Sequence, residues 1–108
     1  MIFLHGVNSA GEELRPFVDA MRPFTLVRTP DLLGHGGRAL RAHPSTRDLA
    51  DDVIDWMDRE GVARDVLGGY SFGGTLALYL ARHHPDRVSG VIALFVLPEA
   101  ASLADRCR

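Results

Sequence analysis

Ser71 stands at the centre of Gly69-Tyr70-Ser71-Phe72-Gly73, between the apolar pair Val66-Leu67 and a helical run from Thr75 to Arg82. A G-x-S-x-G pattern at a strand-to-helix boundary is the arrangement that nucleophilic serine chemistry needs. A serine at the tip of so sharp a turn takes a strained backbone, and its neighbours two before and two after come close enough for side chains to collide. Glycine at both places, Gly69 and Gly73, relieves the clash. The turn lifts the Ser71 hydroxyl above the carboxyl end of a parallel sheet. The helix opening at Phe72 points its free N–H groups and positive dipole end toward developing negative charge, which is half of an oxyanion hole. On its own the pentapeptide also fits an ordinary serine in a strand-to-helix turn.

Two other segments carry groups such chemistry could use. Ile2-Phe3-Leu4 is a short apolar run with strand character that ends in His5-Gly6-Val7-Asn8-Ser9-Ala10-Gly11. Gly6 permits a turn that can aim the N–H of the following residue into a site, so Val7 and Phe72 form a candidate pair of oxyanion donors. His5 beside that turn fits the organisation of the loop by hydrogen bonding better than the role of a base. Pro30-Asp31-Leu32-Leu33-Gly34-His35-Gly36-Gly37 follows the apolar stretch 24–27. Its glycines mark turns and do not define a phosphate cradle. His35 in its Gly34-His35-Gly36 turn does similar support work or faces substrate.

His5-Gly6 after a strand, the 31–36 loop, the 69–73 elbow and Ala81-Arg82-His83-His84-Pro85-Asp86-Arg87-Val88 together resemble the α/β-hydrolase superfamily, in that family's order and at suitable separations. The resemblance covers nearly all of residues 1 to about 97. It is nearest to esterase, carbon–carbon-bond hydrolase and lactonase-like members with an Asp-x-x-Gly-His-Gly type loop. It implies that Ser71 is the nucleophile, that the amides of Val7 and Phe72 hold the oxyanion, and that a small ester-like molecule is the substrate once the machinery is complete. Serine rather than aspartate at position 71 argues against the dehalogenase and epoxide hydrolase branches. No cofactor is required for this chemistry.

The elements that must position these groups alternate regularly. Strand-like runs fall near 1–5, 24–28, 64–69 and 88–97, and helical patterns near 11–21, 46–60 and 72–84. The expected fold is α/β: a parallel, doubly wound sheet of about four strands with flanking helices, an incomplete α/β-hydrolase core over 1–97 followed by a short tail, 98–108. In the second helix, Ser45 or Thr46 can cap, with Asp48, Asp51 and Asp52 in the early turns. Leu49, Ala50, Val53, Ile54 and Met57 fall on one face, Trp56 covers its edge, and Gly61 supplies the stop.

Composition is compatible with this class without pointing to it. The chain has 108 residues, 46% hydrophobic and 24% charged, with a formal net charge of −2. A domain of this length buries roughly two thirds of its unfolded surface. The charge favours neither nucleic acid nor membranes, and the 12 basic residues scatter as a solvated surface. The single cysteine, Cys107, excludes a disulfide within the chain. The five histidines show no zinc-type spacing with cysteines or carboxylates, so no metal is expected. No apolar stretch approaches bilayer length and no signal-like segment opens the chain, which makes a cytoplasmic location the default expectation.

The last strand and the triad raise one difficulty together. Residues 88–97 are apolar at odd and even positions alike, as in a strand covered on both faces, yet only eleven residues follow Leu97. An open edge there would be a route to self-association or a partner chain. In the resembled family the acid and histidine follow the serine on later loops. Here only Asp86, Glu99 and Asp105 are carboxylates after Ser71. His83 and His84 lie about 18 Å along the elbow helix from its start, and His43 precedes Pro44 in a polar linker. Two expectations follow: the amino-terminal half of a serine hydrolase with little activity alone, or a non-catalytic binding or assembly module using the open sheet edge.

Overall fold

The computed structural model describes residues 1–6, 11–32 and 45–95. Three strands, β1 (Ile2–Leu4), β2 (Asp65–Tyr70) and β3 (Val88–Leu94), form a parallel sheet in the order β1-β2-β3. Ile2 lies opposite Leu67 and Leu4 opposite Gly69, while Tyr70 lies opposite Leu94. The strand expected at 24–28 is reduced to a bridge between Ile2 and Arg28. The Arg28 N–H donates to the Met1 carbonyl at 2.9 Å and its carbonyl accepts from the Phe3 N–H at 2.9 Å. The next donor of such a parallel ladder would be residue 30, which is proline and has no N–H, so pairing stops there.

The helices sit on both faces. A 3-10 turn at Gly11–Leu14 runs into α1 (Arg15–Met21). The change of helix type fits Pro16, which cannot donate to the carbonyl four residues back. On this side Phe3, Leu14 and Val27 form a small core with Phe17, Val18 and Met21 against it, and the Phe3 and Phe17 rings lie 4.5 Å apart. The larger core is on the other face, where Ile2, Leu4 and Leu67 meet α2 (Thr46–Arg59) and α3 (Phe72–His83).

α2 is built as its periodicity predicts. Leu49, Ala50, Val53 and Met57 are buried, and Ile54 and Trp56 pack partly buried against them. Ser45 is the N-cap: its hydroxyl accepts from the Asp48 N–H at 3.1 Å, and the Asp48 carboxylate accepts from the Ser45 N–H at 3.0 Å. This capping box satisfies two amide donors at the helix start. Gly61, at φ 71°, turns the chain after the helix. Arg87 departs from the solvated-surface expectation for the arginines. Its guanidinium donates to the Asp58 carboxylate at 2.7 Å and to the carbonyls of Val62 and Ala63 at 3.0 and 2.6 Å, tying the turn before β3 to the end of α2.

β3 differs from a strand covered on both faces. Val88 and Val91 pack on the α2–α3 core, whereas Ile92 and Leu94 are about two-fifths exposed at 42% and 41%, and Phe95 is 89% exposed. It is an edge strand, and among the described residues nothing pairs with its outer side. Among the described residues no helix is long and apolar enough to cross a membrane.

Candidate active site

Ser71 joins β2 to α3 with φ 55° and ψ −124°. A side chain in this region costs about 1–3 kcal/mol and persists only where the surroundings over-determine it. Here they do. The Ser71 N–H donates to the Leu94 carbonyl at 2.9 Å, extending the β2–β3 ladder by one residue, and its carbonyl accepts from the Thr75 N–H at 3.2 Å. The elbow also needs its two glycines. A Cβ on Gly69 would run into the Gly73 carbonyl and lie 2.6 Å from the Gly74 nitrogen. One on Gly73 would run into the Leu4 carbonyl and lie 2.7 Å from the His5 oxygen. Backbone thus packs on backbone on both sides of Ser71.

Among the described residues two serines precede helices, and they differ. Ser45 has the extended backbone of an N-cap, φ −75° and ψ 167°, and its hydroxyl caps. Ser71 has positive φ, its side chain makes no cap hydrogen bond, and the residue is exposed. A serine present to start a helix would adopt the first geometry. The second leaves the hydroxyl at the surface beside first-turn amides that have no carbonyl partner within the helix.

His5 follows β1 directly and is fully buried. Its Nε2 accepts from the Leu32 N–H at 3.0 Å, so the proton sits on Nδ1, which donates to the Gly6 carbonyl at 2.8 Å. A ring so engaged has neither nitrogen available to take a proton from Ser71. It fastens the turn after β1 to the segment entering the glycine-rich loop. Asp31 adds a second fastening, its carboxylate accepting from the Gly11 N–H at 2.8 Å. This role of Asp31 goes beyond the expectations drawn from the sequence; a Pro-Asp pair at the mouth of a loop is the signal for such a side-chain-to-backbone bond. Gly6 lies beside the elbow: a Cβ on it would sit 3.7 Å from the Ser71 Cβ.

Several candidates are not brought to Ser71. His83 closes α3 at its far end with its ring 4.2 Å from that of Tyr79, and His84 is the C-cap. Asp86 lies in the turn that follows. A concavity of about 450 Å³ lined by Arg47, Asp51, Tyr79, Arg82, His83 and His84 belongs to this far end and not to the serine. Val7, Gly34, His35, Gly36, His43, Glu99, Asp105 and Cys107 lie outside the described residues. Among the described residues no three His, Cys, Asp or Glu side chains gather as a metal site would require.

Comparison with known proteins bears on the same stretch of chain. A family model described as the alpha/beta hydrolase fold matches residues 1–105. Lipase LipV of Mycobacterium tuberculosis is 34% identical over 95 residues, covering 87% of this chain and 36% of the lipase. The pimeloyl-acyl-carrier-protein methyl ester esterase of Vibrio atlanticus is 29% identical over 102 residues, covering 94% of this chain and 38% of the esterase. Among solved structures, a thermophilic esterase from Thermogutta terrifontis superposes with a TM-score of 0.82 at 27% identity, over 94% of this chain and 40% of that one. The chain therefore spans well under half the length of these relatives. A match over residues 1–105, on a parallel sheet with a helix layer on each face, places this chain in the α/β-hydrolase family.

Proposed function

We propose that the chain supplies the nucleophile and the oxyanion-binding half of a hydrolase that cleaves an ester or related carbonyl compound through an acyl-serine at Ser71. The observation that carries this reading is the Ser71 backbone, held at φ 55° with an exposed hydroxyl that does no capping. In the reaction the Ser71 Oγ attacks the carbonyl carbon, its proton passes to a base, and the carbonyl oxygen gains negative charge. The amides of Phe72 and Val7 are the donors proposed for that charge, aided by the positive end of α3. His5 and His35 are assigned to loop support and Gly6, Gly69 and Gly73 to close backbone approach. Esterase and lipase activities of the relatives support a carbonyl substrate.

The described residues bring no acid–histidine pair to Ser71, and a serine without its base retains only the fraction of the rate enhancement that the oxyanion hole and binding provide. The expected activity of these 108 residues alone is accordingly slight. The test is covalent labelling by a fluorophosphonate in excess, followed by intact-mass and peptide analysis. Labelling over hours at Ser71, lost in Ser71→Ala, is the expected result; an unlabelled chain, or label that survives Ser71→Ala, overturns the reading.

A second reading is favoured by the open side of β3, where Ile92, Leu94 and Phe95 form an exposed apolar row. It assigns the chain to assembly, with strand addition by another copy of itself or a partner chain. Light scattering after size exclusion decides it: a defined oligomer or complex supports assembly, and a stable monomer removes the self-association form.

A further inference from the structure

Tyr70 occupies the position before the nucleophile, and its side chain leaves β2 on the face that α1 covers. There it packs, half-buried, against the small core of Phe3, Leu14 and Val27. Its outer end faces Gly6. A Cβ built on Gly6 lies 3.3 Å from Tyr70 Cε2 and 3.5 Å from Cζ, with the Ser71 Cβ next at 3.7 Å. The side of Gly6 on which a side chain would project thus looks into a crevice with the tyrosine ring on one wall and the nucleophile on the other. Gly6 is meanwhile held through its carbonyl by His5 Nδ1–H. That fastening fixes the direction of the carbonyl, and the ring lies on the side of Gly6 that looks toward the elbow.

We infer that Tyr70 is a positioning residue, whose ring, backed by the α1-side core, sets the spacing between Gly6 and Ser71 and with it the width of the pocket that receives the substrate carbonyl oxygen. This rests on the Ser71 reading above. Donors to a developing oxyanion must lie within a few tenths of an ångström of hydrogen-bonding distance to act, so a spacer made of close-packed aromatic atoms controls rate without touching the reacting atoms. Cε2 and Cζ of the ring are the atoms that a Cβ on Gly6 would meet first.

Fluorophosphonate labelling of Ser71 in the full chain tests it, with circular dichroism and urea midpoints checking that each variant folds. Tyr70→Phe is expected to label within threefold of the unsubstituted chain, and Tyr70→Ala at least tenfold more slowly. Gly6→Ala, which crowds the crevice, is expected to slow labelling at least tenfold beside Tyr70 but less than threefold in the Tyr70→Ala background, where space has been made. A merely structural tyrosine would give independent effects, so additive losses in the double variant, or unchanged labelling in Tyr70→Ala, overturn the inference and leave the nucleophile assignment standing. Should Tyr70→Ala fail to fold, Tyr70→Leu, which keeps bulk against the core but not the ring edge, takes its place with the same expected pattern. A chain that does not label at all overturns the Ser71 reading itself, and this inference with it.

Discussion

At the scale of single residues, the elbow is a place where local preference loses to surroundings. An L-residue resists positive φ, and Ser71 is held there by the Leu94 carbonyl, the Thr75 amide and two glycines through which backbones touch. Replacing it by glycine, which tolerates that backbone, removes strain of about 1–3 kcal/mol and adds about 0.5–1 kcal/mol of unfolded-chain entropy. Ser71→Gly is therefore expected to raise stability by about 1 kcal/mol in urea unfolding while removing the hydroxyl. A loss of stability instead would show that the turn is relaxed. The sequence disclosed this much of the site because G-x-S-x-G has a steric cause that spacing alone reveals. It did not disclose that both nitrogens of His5 are occupied, because its second partner, the Leu32 amide, lies 27 positions away.

At the scale of elements, the chain obeys its periodicities where both ends carry chemistry and departs from them where a proline intervenes. α2 has Ser45 and Asp48 at one end and Gly61 at the other, and its span was legible to within a residue. The apolar run 24–27 reads as a strand by hydrophobicity, yet Pro30 withholds the donor needed to extend its ladder, so only the bridge at Arg28 forms. The capping box offers a direct check of what such a terminus contributes. Ser45→Ala is expected to lower stability by about 1 kcal/mol, and a change below a few tenths would mean that α2 is fixed wholly by its buried face. The scatter of the arginines suits a solvated surface, and no local pattern sets Arg87 apart. Its partners Asp58, Val62 and Ala63 are nearby only because α3 returns the chain to the end of α2.

For the whole molecule, the fold class was legible from strand–helix alternation, while the fate of the last strand was only half so. The apolar pattern suits a strand with cover on both faces, and the open edge expected at 88–97 is where the strand order puts β3, with Ile92 and Leu94 exposed. If that edge recruits another chain and the exposed row beside it is covered, Ile92→Lys is expected to return an oligomer to monomer in light scattering, since an unpaired ammonium would be buried against apolar surface; an unchanged oligomer would place the contact elsewhere. The contact of Gly73 with the backbone of Leu4 and His5 has another consequence, for the order in which the chain folds. It joins positions nearly seventy apart, and closing so long a loop is slow compared with forming a helix. α3 can coil early, but the elbow acquires its shape only when β1 docks beside β2. Until that late step a nascent or partly folded chain carries a plain serine, and the reactive geometry arrives together with the native state.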